Sequence, residues 1–129
     1  MLLSRAAEVA LAALPYLDGR GPLAPGRGAK ALAGAANVPA PFLAKVLQRL
    51  VERGVLRSKR GRTGGFVLGR PASEITVADV VLALEGYEEL EAAFPALQGP
   101  AGRLFGPVRS RVFDVMRKTT VADLAKDVS

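Results

Sequence analysis

Apolar residues in this chain recur mostly at helical spacing, and only two short stretches have an extended character. Leu3, Ala7, Ala10, Leu11, Leu14 and Leu17 return every three or four residues and predict a helix over residues 3–17, with Ser4 as its N-cap. Residues 18–27, DGRGPLAPGR, interrupt the pattern with Gly and Pro and read as a loop. A short Ala-rich helix is predicted over 29–36, with Leu32, Ala33 and Ala36 facing inward. Asn37 then supplies a residue that tolerates the left-handed conformation of a tight turn, and Val38 follows as an apolar plug. A third helix starts around 39–41, where prolines suit a first turn. Leu43, Val46, Leu47 and Leu50 form its apolar stripe, and Gly54 is placed to end it.

Two β-like runs follow, 55–58 and 66–69, joined by KRGRTGG at 59–65. The glycines of that link permit a tight reversal, so a β-hairpin is predicted. Pro71 closes the unit. Thr76 and Asp79 have capping-box spacing at the head of a fourth helix, 76–85, which carries Val77, Val80, Val81 and Leu84 and ends at Gly86. Residues 87–102 are mixed, first acidic (Glu88, Glu89, Glu91), then rich in Pro and Gly. A further amphipathic helix is predicted over 104–118, with Leu104, Val108, Val112, Val115 and Met116 on one face and Pro107 in its first turn. Thr120 and Asp123 repeat the capping pattern and start a short final helix ending near Lys126. The fold class is therefore mainly α with a small β-hairpin. Residues 1–86 read as one domain, 87–102 as a linker, and 103–129 as a C-terminal helix with a short helical tail.

Composition narrows the chemistry. The 129 residues are half apolar, enough for a core, and no apolar run is long enough to span a bilayer. The N-terminus lacks the uninterrupted apolar run of a secretory signal, so a cytoplasmic location is expected. Cysteine and histidine are both absent, which removes disulfides, thiolate nucleophiles, imidazole bases and the usual ligands of zinc and iron–sulfur clusters. The carboxylates show no spacing that suggests catalysis or metal binding. An enzyme, a bound metal and a cofactor are therefore not expected. Net charge is +6, unevenly spread: residues 1–70 hold twelve Lys/Arg against three Asp/Glu, and residues 71–129 hold six against nine. A basic half joined to a mildly acidic one suits a polyanion-binding module.

Helix, short helix, turn, helix and basic hairpin, in that order, make a winged helix-turn-helix. In such modules the second helix of the motif enters the major groove of duplex DNA. The candidate reading residues are then Phe42, Lys45, Gln48 and Arg49, on a helix beginning near Pro41; Gln and Arg have the forked geometry that adenine and guanine edges require. The candidate wing residues are Lys59, Arg60, Arg62, Thr63, Gly64 and Gly65, with an arginine at the tip suited to a minor groove. A solvated basic hairpin on a protein-interaction adaptor is the alternative, and such an adaptor would lack DNA affinity. The stripe Leu104, Val108, Val112, Val115 and Met116 fits either a core or the seam of a two-fold homodimer. The seam is favoured because the first four helices already form a compact unit. A dimer would set two reading helices roughly 34 Å apart, one turn of DNA.

The stretches LSRAAEVALAAL, LAGAANVPAPFLAKVLQRLVERGVLRSKRGRTGGFVLGRP, EITVADVVLALEG and TTVADLA cover most of the chain. In that order they resemble the bacterial Rrf2 family of winged-helix regulators, which includes the iron–sulfur cluster regulator and the nitric-oxide-sensing repressor. The resemblance implies a transcription factor, usually a repressor, that dimerises through its long C-terminal helix. It also implies base contacts from the positions of Pro41, Phe42 and Ala44, and a minor-groove arginine at Arg60. Two departures stand out. The wing reads RGRTGGF where the family commonly has RGPGGGY, and residues 87–106 lack the three cysteines with which many members ligate an iron–sulfur cluster. The resemblance therefore carries no cluster to this chain and leaves any effector unidentified.

Overall fold

The computed structural model describes residues 3–17, 25–62, 64–86 and 97–126. The first helix, α1, spans Arg5–Ala13 and continues as a 3-10 turn over Leu14–Tyr16. The expected helix over 3–17 is thus shorter as an α-helix, because Pro15 has no N–H to continue the ladder. Leu14 and Leu17 are buried all the same. Ser4 is the N-cap, its hydroxyl accepting from the Ala7 N–H at 3.1 Å.

Helix α2 covers Ala29–Ala36, and Asn37 ends it in the left-handed region at φ 56° and ψ 52°. Val38 donates back to the Ala33 carbonyl at 3.0 Å, so the turn into α3 (Ala40–Glu52) is tied down on both sides. Helix α3 closes with a Schellman motif: Gly54 N–H bonds the Val51 carbonyl and Val55 N–H bonds the Leu50 carbonyl, both at 3.0 Å. Gly54, at φ 80°, takes the left-handed position.

Strands β1 (Leu56–Lys59) and β2 (Gly65–Leu68) pair antiparallel, Leu56 opposite Leu68 and Lys59 opposite Gly65. Each lies one residue closer to the loop than the expected runs, because the Val55 N–H is already committed to the α3 cap. A third edge was not foreseen. Arg27, expected in a loop, forms a bridge to Phe66 on the outer side of β2.

Helix α4, Val77–Glu85, begins with the expected capping box: Asp79 N–H donates to the Thr76 hydroxyl at 3.0 Å and Thr76 N–H to the Asp79 carboxylate at 2.9 Å. Asp79 also takes an ion pair from Arg70 at 2.9 Å.

Helix α5 runs over Gly99–Lys118 and helix α6 over Val121–Ala125. Helix α5 starts five residues before the expected position, with Pro100 in its first turn and Pro107 in its interior. Pro107 thus does not sit in the first turn. The segment 99–106 carries three glycines and a proline, so its low helix propensity hid it. The chain between α5 and α6 lies along the start of α4: Val77 N–H bonds the Thr119 carbonyl and Val121 N–H the Ile75 carbonyl, both at 2.8 Å. Thr76 and Thr120, the N-caps of α4 and α6, face each other in a bridge.

One core gathers all of this. Leu14, Leu32, Leu43, Leu47, Leu50, Leu56, Leu68, Ile75, Val80 and Val81 are fully buried in it, and Met116 and Val121 join from the C-terminal part. The C-terminal half of α5 and helix α6 therefore pack into the same core as α1–α4. None of the helices formed by described residues is long and apolar enough to cross a membrane.

Candidate nucleic-acid interface

Helix α3 is divided cleanly by burial. Leu43, Val46, Leu47 and Leu50 all lie in the core, so the opposite edge presents Pro41, Phe42, Lys45 and Gln48 to solvent. A phenylalanine 38% exposed at the start of a helix is an uncompensated apolar surface beside polar ones. Ala44 is half-buried at the margin of this edge.

Arg49, exposed on the same helix, also has a partner within the chain. Its Nη2 donates to the backbone carbonyl of Leu84, in the last turn of α4. A cation at a helix C-terminus is favoured by the carbonyls left without helical partners there. Arg49 is thus a joint between α3 and α4. At the same end of α4, the Glu85 carboxylate accepts the Ser4 N–H at 2.5 Å, so α4 also holds the N-terminus of α1.

The hairpin loop carries Arg60 and Arg62, both exposed, while Lys59 on β1 is half-buried. The loop is drawn tight around Gly64, whose N–H bonds the Gly61 carbonyl at 3.0 Å; a Cβ on Gly64 would lie 2.5 Å from the Lys59 carbonyl oxygen. Gly65, at φ 113°, packs directly on the Arg27 backbone, and a Cβ there would lie 2.5 Å from it. Thr63 lies outside the described residues. Exposed basic side chains that sequence reasoning did not assign include Arg27, Lys30, Arg53 and Arg57. A Pro- and Gly-rich stretch gave no sign that Arg27 would be built into the hairpin sheet.

The C-terminal stripe divides in two. Leu104, Val108 and Val115 are 69%, 58% and 44% exposed, whereas Met116 is 7% exposed and Val112 half-buried against the core. At about 100° per residue, Met116 sits roughly 120° around α5 from Leu104 and so faces inward. Met116 is therefore a core residue and not part of an exposed seam. Phe105, not assigned from sequence, adds a further exposed apolar side chain. Arg109 lies over the Phe113 ring at 4.9 Å, on the half-buried side of the same helix.

A perturbed carboxyl lies away from this surface. Asp123 is held below the usual carboxylate range, chiefly by the Thr120 backbone N–H, then by the Thr120 hydroxyl and the Lys126 ammonium.

A short helix, a left-handed turn, a second helix with a polar edge and a basic hairpin beside it define a winged helix-turn-helix. The chain belongs to the Rrf2 family: that family's profile, described as an iron-dependent transcriptional regulator, matches residues 3–127. A Mycobacterium tuberculosis protein named as an HTH-type transcriptional regulator is 34% identical over 101 residues, which are 73% of this chain. The matched region spans 63% of that relative's length. CymR of Bacillus subtilis, an HTH-type transcriptional regulator, is 34% identical over 100 residues, 74% of this chain and 70% of its own. The structure of B. subtilis CymR, described as a global cysteine regulator, superposes with a TM-score of 0.79 at 28% identity, covering 97% of this chain and 96% of that one. Staphylococcus aureus CymR gives 0.73 at 30% identity, over 95% and 96%. These relatives are regulators of transcription and not enzymes.

The iron in the family's description does not fit these residues. The chain offers no thiolate and no imidazole, and the described residues contain no group of three potential ligands. Glu88, Glu89 and Glu91 lie outside the described residues.

Proposed function

We propose that this chain is a sequence-specific, duplex-DNA-binding transcriptional regulator that acts as a homodimer and represses by occupying its site, without an iron–sulfur cluster. The observation that carries this reading is the surface shared by α3 and the hairpin. Residues 25–62 hold nine Lys/Arg and a single carboxylate, Glu52, and α3, with its exposed polar edge, packs on β1, the strand that leads into the loop bearing exposed Arg60 and Arg62. Lys45 and Gln48 would meet base edges in the major groove, with Phe42 and Pro41 against sugar or a thymine methyl. Arg60 would enter the adjacent minor groove, drawn by its negative potential. Family membership and the named regulators support the same role.

The homodimer rests on α5. Twenty residues at 1.5 Å rise give a rod of about 30 Å. Its exposed Leu104, Phe105, Val108 and Val115 form an apolar strip that a second copy of the same helix would cover.

Selection of bound fragments from a genomic library by the purified full chain tests the reading. A recurrent two-fold symmetric sequence is the expected result. Recovery of random fragments would leave only non-specific binding, and recovery of none would leave the adaptor reading.

A further inference from the structure

We infer that Arg27 is a further DNA contact, a guanidinium that grips a backbone phosphate next to the groove entered by the wing; the inference rests on the DNA-binding reading above. Arg27 is not on a free loop. Its N–H donates to the Phe66 carbonyl at 3.0 Å and its carbonyl accepts from the Phe66 N–H at 2.7 Å. That pairing makes residue 27 a third edge of the hairpin sheet, on the side of β2 away from β1.

Directly opposed residues of an antiparallel pair project to the same face. Arg27, Phe66 and Ser58 therefore share the face that carries Leu56 and Leu68, the face on which the helices pack. Phe66 lies against the core while Arg27, at the edge, stays exposed. The guanidinium therefore emerges where the wing meets the head of α2, with exposed Lys30 three residues on. No carboxylate of a described residue pairs with either cation.

The mount is rigid. A Cβ on Gly26 would lie 2.7 Å from the Gly64 backbone, and one on Gly65 would lie 2.5 Å from that of Arg27, so the two segments touch main chain to main chain. Arg27 is thereby fixed relative to the loop bearing Arg60 and Arg62. Little backbone entropy remains to be lost on binding, and the planar fork of arginine matches two phosphate oxygens. The predicted partner atoms are phosphodiester oxygens and not base edges, because a phosphate contact sets position without reading sequence.

The test uses the full chain with two fluorescent duplexes, one selected from a random library by the wild-type protein and one of scrambled sequence. Anisotropy titrations across a salt series are recorded for wild type, Arg27→Ala, Arg27→Lys and Arg60→Ala. Arg27→Ala is expected to weaken both duplexes by the same factor and to lower the log–log salt slope by about 1 per protomer, with Arg27→Lys keeping the slope. The sheet pairing is made by main-chain atoms, so Arg27→Ala keeps it, and a wild-type melting curve verifies the fold. Wild-type affinity and slope in Arg27→Ala, alongside a defect in Arg60→Ala, would overturn this inference alone. A change in discrimination between the duplexes at unchanged slope would overturn the phosphate assignment. If wild type binds neither duplex, the DNA-binding reading falls and this inference with it.

Discussion

Helices α3 and α5 both carry apolar stripes, yet they dispose of them differently. In α3 all four stripe residues are buried within the chain and the opposite edge is polar. In α5 only the C-terminal end reaches the core, through Met116, Val112 and Phe113, while Leu104, Phe105, Val108 and Val115 remain in solvent. The lesson is that an apolar stripe alone does not say who covers it. The stripe of α3 is completed by its own fold, so what remains exposed there is available for a ligand. That of α5 is left half-finished, so what remains exposed there calls for another surface.

The contrast can be broken most strongly in the core. Leu47→Ala, at a fully buried position, is expected to cost about 2–5 kcal/mol in a urea unfolding titration. An equal cost for Leu104→Ala in dilute protein, where no second copy is present, would erase the distinction between the two helices. Next in size is association itself. Wild type is expected to sediment at twice 13.5 kDa, and a Leu104→Lys, Val108→Lys pair at 13.5 kDa with its melting retained. A wild-type monomer at micromolar concentration would remove the homodimer. Third, Pro107→Ala should stabilise α5 by about 2 kcal/mol, since an interior proline withdraws one ladder hydrogen bond and crowds the preceding turn. Thermal melts with no gain would mean that the helix is held through that turn by a partner surface. Arg49→Met should cost about 1 kcal/mol of stability by releasing the Leu84 carbonyl. A variant of full stability that loses only DNA affinity would return Arg49 to the list of DNA contacts.

The smallest effect is that of pH at the α6 cap. Asp123 has its folded-state carboxyl held below the ordinary value. Its contribution is therefore fully present above the unfolded-state value and is lost as pH falls through the lower, folded one. Helix α6 should loosen in acid before the core does, seen as earlier amide exchange at residues 121–125. Asp123→Asn should abolish that acid sensitivity.

Much of this arrangement was legible in local sequence. Asn37 and Gly54 marked the turn and the cap because each position needs a left-handed residue, and both capping boxes followed from Thr and Asp three residues apart. The core faces of α2, α3 and α4 followed from period alone. What was hidden depended on partners distant in the chain. Arg27 looked like loop because its sheet neighbour lies 39 residues away in sequence. Arg49 was legible as a basic residue off the core stripe, and only the folded position of α4 shows the carbonyl it also serves. Met116 was placed on the exposed stripe with Leu104, but twelve residues on it has turned roughly 120° around the helix and lies in the core. The start of α5 was masked by the glycines and proline of 99–106, whose helix propensity is low. For the proposed reading surface, sequence supplied the residue types. The fold supplied Pro41, Phe42, Lys45 and Gln48 on one exposed edge, and sorted Arg60 and Arg62 from the half-buried Lys59.

The central claim is that the outer edge of α3 and the wing together bind duplex DNA. Its most direct test is a salt series of filter-binding titrations comparing wild type with Gln48→Ala and Arg60→Ala on the selected duplex. Gln48→Ala should lose about 1–3 kcal/mol of discrimination against altered bases with the slope unchanged, and Arg60→Ala should lose affinity together with part of the slope. Wild-type affinity, discrimination and slope in both variants would contradict the account.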